Sequence, residues 1–180
     1  PAVGFALALG LTVAALDAAI AELSADIHTV VLSSEHFHSR LRRRSEVKWL
    51  AEVLHARASQ VHVIGYLRRQ VDVMNSFYST ELKNGGRRTL SQAAERMCRP
   101  DNHYFAYAKM LALWADVFGG DAVTPRVFDP DELVGGDLVT DFLSQLGAGE
   151  TPLERRSDVR LNESLMPLGP SLVRGINVEL

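Results

Sequence analysis

An α/β fold is predicted, with a mostly parallel sheet flanked by helices in three layers. Three observations predict it. Short apolar and β-branched runs at His28–Ser34 and Val61–Leu67 alternate with stretches of helical periodicity. Strands separated by helices in this way pair in parallel through right-handed crossovers. A chain of 180 residues, 47% hydrophobic and 23% charged, can bury one sizeable core as a single domain spanning 1–180. No repeat, low-complexity segment or linker divides it. The formal net charge of -3 argues against nucleic acid as a partner. Cys98 is the only cysteine, which excludes an intrachain disulfide and a cysteine-based metal site and makes the cytoplasm the expected compartment.

Pro1 to Leu16 is uncharged and apolar, shorter than a membrane span and without the basic start of a signal peptide. It reads as a loop or turn leading into a helix through Leu16, Ile20 and Leu23, so no stable membrane span is expected. A trimmed signal or membrane-associated segment is the other reading of that run. The chain begins at Pro1 rather than Met, and part of the natural protein is expected to be missing. His28–Ser34 (HTVVLSS) reads as a buried strand, followed by Glu35, His36 and His38. The basic cluster Arg40–Arg44 precedes Ser45, an expected N-cap, and a helix with Val47, Leu50, Ala51 and Leu54 on one face. That cluster is either a solvated approach to the helix or a surface that steers anions toward the sheet edge.

Val61–Leu67 is the next strand. The helix after it carries Val71, Met74, Phe77, Tyr78 and Leu82 on one face and stops at Asn84-Gly85-Gly86. Arg68 stands at the carboxyl end of the strand and Ser76 in the first turns of the helix. In open α/β sheets anions bind at such junctions, because backbone N–H groups and the helix dipole favour negative charge. A guanidinium and a hydroxyl there suit a phosphate clamp; the alternative is an arginine that merely faces solvent. On this topology Glu35 and Arg68 share one edge of the sheet.

Thr89-Leu90-Ser91-Gln92 forms a capping box for a short helix with Leu90, Ala93, Ala94 and Met97 as its apolar stripe. After the break at Pro100-Asp101-Asn102 a longer helix places Tyr104, Tyr107, Ala108, Leu111, Ala115 and Phe118 on one face, read as core. Val123–Phe128 is a strand whose Pro125 assigns it to an edge or makes it irregular. Asp137 caps a helix with Leu138, Phe142, Leu143 and Leu146, stopped at Gly147; Pro170–Asn177 is a last helix.

The string Tyr66-Leu67-Arg68-Arg69-Gln70-Val71-Asp72, followed by Ser76-Phe77-Tyr78 and closed by Lys83 and Gly85, resembles the 3′-phosphate-binding segment of sulfotransferases. Tyr104, Trp114 and Phe118-Gly119 leading into Val123–Phe128, and the run Arg160 to Asn177, are similar to later stretches of bacterial members. The resemblance covers about 29–180 and implies a P-loop-NTPase-like sulfotransferase fold. It implies that Arg68 and Ser76 bind the 3′-phosphate of 3′-phosphoadenosine-5′-phosphosulfate, whose product is 3′-phosphoadenosine-5′-phosphate. The implied reaction moves a sulfuryl group to a hydroxyl or amine of a small-molecule or glycan acceptor, with no metal. Such a transfer needs a base for the acceptor's proton. Ser33-Ser34-Glu35 resembles the family position of that base, so Glu35 is the catalytic candidate and His36 the reserve; otherwise Glu35 caps a turn or pairs with Arg40 or Arg42. His36 and His38 have no third ligand at metal-binding spacing. Arg156 and Arg160 match the family's basic loop over the cofactor, or are solvent-exposed arginines.

One departure is large. The family's amino-terminal Gly-rich, Lys-bearing loop, which holds the 5′-phosphosulfate, has no counterpart here: Gly4 and Gly10 lie in an apolar run and the first lysine is Lys48. A natural chain with that loop upstream would be a sulfotransferase. Without it, the chain would be a non-catalytic sulfotransferase-like domain that binds nucleotide or serves structurally. Another nucleotide-dependent phosphotransferase ranks last, since neither a phosphate loop nor a Mg²⁺ motif stands out.

Overall fold

Periodicity predicts most of the helices in the computed structural model, which describes residues 13–34 and 36–148 together with Pro170, Arg174, Asn177 and Val178. In chain order the elements are α1 (Val13–Ala21), α2 (His36–Arg40), α3 (Arg44–His55), β1 (Val63–Leu67), α4 (Gln70–Lys83), α5 (Leu90–Met97), α6 (Tyr107–Phe118), β2 (Val123–Val127) and α7 (Leu138–Gln145). Short 3-10 turns cover Gly120–Ala122 and Val134–Gly136. The four residues described near the carboxyl end are helical, as expected for 170–177.

The fold is mixed α/β, and its sheet among the described residues is small: β1 and β2, paired in parallel. The strand expected at 28–34 is a correction. Those residues carry no sheet pairing, with His28 and Thr29 exposed and Val30–Leu32 only half-buried. β-branching makes extended backbone favourable but supplies no neighbour; a strand needs a partner edge to satisfy its N–H and C=O groups. Pro125 sits exposed in β2, where a two-stranded sheet leaves an outer edge that asks for no donor.

The chain divides into two compact units, and each strand contributes residues to both. The first comprises 1–65 and 103–126. There α3 packs on α6, burying Val47, Leu50, Ala51 and Leu54 from α3 and Met110 and Trp114 from α6. Each large apolar side chain removed from water contributes roughly 1.5–3 kcal/mol. Trp114 stacks on Phe118 at 5.6 Å between ring centroids, and Arg44 of α3 pairs with Asp116 of α6. Arg57, just past α3, grips α1 with two bonds to Asp17, Nε–Oδ1 at 2.6 Å and Nη2–Oδ2 at 2.8 Å. The start of α3 differs from expectation. Its N-cap is Arg43 rather than Ser45, because the Glu46 carboxylate reaches back to accept the backbone N–H groups of Arg42 (2.8 Å) and Arg43 (3.0 Å). The face of α6 also differs: Met110 and Trp114 are buried while Ala108 is exposed. With Leu111, Leu113 and Val117 apolar as well, the helix is greasy on several sides and periodicity does not choose among them.

The second unit comprises 66–102 and 127–180. Helix α4 packs on α5 and buries Met74, Tyr78 and Leu82, while Val71 at the edge of its expected stripe is 61% exposed. The α5 cap forms as expected: Thr89 Oγ1 accepts the Gln92 N–H, and the Gln92 amide oxygen accepts the Thr89 N–H. Ala93 is buried in that helix, whereas Leu90 is exposed. The carboxyl end of α4 is closed from far along the chain. The Asn177 amide donates to the carbonyls of Leu82 (2.9 Å) and Gly86 (2.8 Å), filling acceptors that a helix end leaves over. Asp137 caps α7 by accepting the Thr140 N–H at 2.9 Å, and Gly147, at φ 70°, ends it. Asp141 of α7 is fully buried: one oxygen accepts the Tyr66 hydroxyl at 2.7 Å and the other the Val134 N–H at 3.0 Å. No helix among the described residues is long and apolar enough to cross a membrane.

Candidate functional site

The junction of β1 and α4 is built by two adjacent arginines with different fates. Strand pairing fixes the end of β1, since the Leu67 carbonyl accepts the Phe128 N–H at 2.8 Å. That bond also places the Phe128 ring beside the next residue, and the Arg68 guanidinium lies over it, 4.6 Å from the centroid. Arg69 turns the other way. It is the N-cap of α4 and pairs with Asp72 one turn on, Nε–Oδ2 at 2.8 Å. The hydrogen bond that Arg69 donates to Asp72, then the charges of Asp72 and Asp129, hold the Arg69 guanidinium above its ordinary pKa. Arg69 is thus matched by carboxylates on its own helix and on the segment after β2. The Arg68 guanidinium lies against an aromatic face, whose quadrupole attracts a cation.

Ser76 lies half-buried in the second turn of α4, and its carbonyl accepts the Thr80 hydroxyl at 3.0 Å. The N-cap of α4 makes no side-chain cap bond. A helix start with a guanidinium beside it and a hydroxyl one to two turns on is a donor set suited to an oxyanion of phosphate type. Arg68 and Ser76 are therefore both placed on one strand–helix unit. Phe128 belongs to the same site and was not anticipated as such. The run Val123–Phe128 reads as a strand, but nothing in it signals that its last ring meets an arginine on the far side of three helices.

The candidate base region lies in the first unit. Glu35, Arg156 and Arg160 lie outside the described residues. His36 opens α2; its N–H donates to Ser34 Oγ at 3.2 Å, and its Nδ1 faces Ser39 Oγ at 3.5 Å. His38 is turned to a different partner, stacking on His103 with centroids 5.0 Å apart and meeting Tyr104 edge-on at 4.9 Å. Among the described residues no group of three or more His, Cys, Asp or Glu is placed to hold a metal ion.

No family model matches the chain. It is similar to an uncharacterized protein of Archaeoglobus fulgidus. The two are 28% identical over 151 residues, which is 84% of this chain and 39% of that protein. The chain thus spans well under half the length of this relative. No solved structure matches it.

Proposed function

We propose that this chain is the 3′-phosphate-binding part of a sulfotransferase that uses 3′-phosphoadenosine-5′-phosphosulfate and acts on a hydroxyl or amine, a small molecule or a glycan. The observation that carries the reading is Arg68 at the carboxyl end of β1, directly before α4, with Ser76 on that helix. The resemblance of Tyr66–Asp72, Ser76–Tyr78, Lys83 and Gly85 to the corresponding sulfotransferase segment supports it. The finer fold proposed is the three-layer, mostly parallel sheet of that family, and the cytoplasm is the compartment that suits a lone, exposed Cys98.

The chemistry of the donor set fits a dianionic phosphate. In this reading Arg68 supplies a charge-assisted, potentially bidentate donor, and Ser76 supplies a hydroxyl. Phe128 keeps the guanidinium beside the helix start, and Arg69 is withheld from the ligand by Asp72. Glu35 would take the acceptor's proton, with His36 in reserve, and Arg156 or Arg160 would cover the bound nucleotide. Bound, the nucleotide supplies the sulfuryl group. The alternative is a non-catalytic domain that binds the nucleotide without transfer.

Calorimetric titration with 3′-phosphoadenosine-5′-phosphate, with adenosine 5′-phosphate as control, tests the reading. Binding should require the 3′-phosphate, and Arg68→Ala should weaken it by about 1.5–3 kcal/mol, the scale of a charged hydrogen bond. Equal affinity for both nucleotides, or an unaltered affinity in Arg68→Ala, would sink the clamp. Binding with the expected preference, but no sulfuryl transfer by the full-length protein, would select the alternative.

A further inference from the structure

We propose that His38 and His103 form a proton-sensitive clasp that pins α2 to the segment leading into α6 while the His38 ring is neutral and releases it as His38 charges. The contact is reciprocal. His38 Nε2 faces the His103 backbone carbonyl at 3.4 Å, and His103 Nε2 faces the His38 carbonyl. A carbonyl only accepts, so each ring donates from Nε2–H, and the neutral pair carries its open nitrogen at Nδ1. Protonation adds charge at Nδ1; it strengthens the Nε2–H donor to the carbonyl, but that gain is set against burial and the neighbouring positive charges.

What the added charge meets is unfavourable. The two histidine rings stack with centroids 5.0 Å apart, so two charged rings would face each other, and the Arg42 guanidinium contributes further positive charge from beyond α2. Burial first, then the charges of His103 and Arg42, pull His38 below its ordinary pKa of 6.5, with the bond to the His103 carbonyl opposing them.

Helix α2 depends on this contact more than its neighbours do on theirs. It has five residues and buries none of them. A helix that short does not persist on its own backbone bonds. On its amino-terminal side, residues 27–34 have no sheet pairing to hold it in place. The position of His36 in the first unit is thus tied to the protonation of its neighbour two residues on.

The sign follows from linkage. With the folded-state pKa of His38 lowered, the folded clasp binds fewer protons than the opened one, so it holds above 6.5 and weakens as pH falls below that value. The test uses the whole chain. Amide exchange of Arg40, Leu41 and the residues leading into α6 is followed from about pH 7.5 to about pH 5.5, corrected for intrinsic exchange. Protection should fall over that range as pH passes below 6.5. In the double variant His38→Gln, His103→Gln, whose amides donate at similar reach but do not titrate, the fall should vanish. Constant protection in the wild type, or the same fall in the variant, would overturn the clasp. If the variant does not fold, the His38 ring resonance of the wild type decides: titration below the ordinary histidine value supports the proposal, and titration at or above it refutes it.

Discussion

Removing Asp141 should cost the second unit more than removing any exposed charge. The Asp141 carboxylate is fully buried and is the acceptor for two donors on different segments, the Tyr66 hydroxyl at 2.7 Å and the Val134 N–H at 3.0 Å. In Asp141→Ala both donors lose this acceptor inside the protein, where each buried polar group deprived of its bond costs about 1–3 kcal/mol. The expected loss is therefore about 2–5 kcal/mol, which for a chain of this size lowers the melting temperature by roughly 5–15 °C. Asp141→Asn keeps one carbonyl oxygen and should fall about midway. Tyr66→Phe removes the hydroxyl that Asp141 accepts and should cost about 1–2 kcal/mol. Urea unfolding followed by far-ultraviolet circular dichroism measures all three. A loss below about 1 kcal/mol in Asp141→Ala, or an equal loss in Tyr66→Phe, would refute the account of Asp141 as a shared acceptor.

Two further outcomes are expected. Gly119 ends α6 at φ 93°, ψ 143°, and a Cβ there would meet nothing within 4 Å. Gly119→Ala should therefore lose about 1–3 kcal/mol from backbone strain alone, whereas Gly120→Ala, equally open and without a positive φ, should not. Equal thermal shifts in the two variants would contradict this. The second concerns acid. The Arg57 hydrogen bond, against some desolvation and helped by the Arg57 charge, holds Asp17 below its ordinary value of 3.8. The unfolded chain then takes up that proton first as pH falls, so the pair stabilises fully above 3.8 and its contribution is lost as pH drops through the lowered value. In Asp17→Asn the acid limb of the stability–pH curve should be shallower; superimposable curves would show that the pair does not discriminate between folded and unfolded states.

Helices were legible in the sequence where one face was apolar and the rest polar. The α3 positions Val47, Leu50, Ala51 and Leu54 are buried as their spacing predicts, and the caps at Thr89 and Asp137 form from residues whose side chains reach only their own first turn. Legibility fails where the signal is not local. α6 is apolar on too many sides for spacing to select Met110 and Trp114, and the run 28–34 has β-forming residues but no partner edge. Helix α2 is held by side chains around Tyr104 rather than by periodicity, so nothing in its five residues announces it. The strand–helix unit that carries Arg68 and Ser76 was legible because both elements are local. Phe128 and Asp129, which separate the roles of Arg68 and Arg69, come from the far side of three helices in the sequence. Buried Asp141 was the least legible, since a carboxylate on a helix reads as solvent-facing until its two donors are found.

The pairing of β1 with β2 has a kinetic consequence. The bond from Phe128 to Leu67 closes an interval of chain that contains α4, α5 and α6. Helices form from neighbours in well under a millisecond, whereas this closure must first overcome the entropy of the whole intervening loop. The sheet is thus the last element to assemble and, having only two strands, among the first to open. The Arg68–Phe128 contact is created by that final step, so an anion that binds there selects chains that have finished folding and slows their opening.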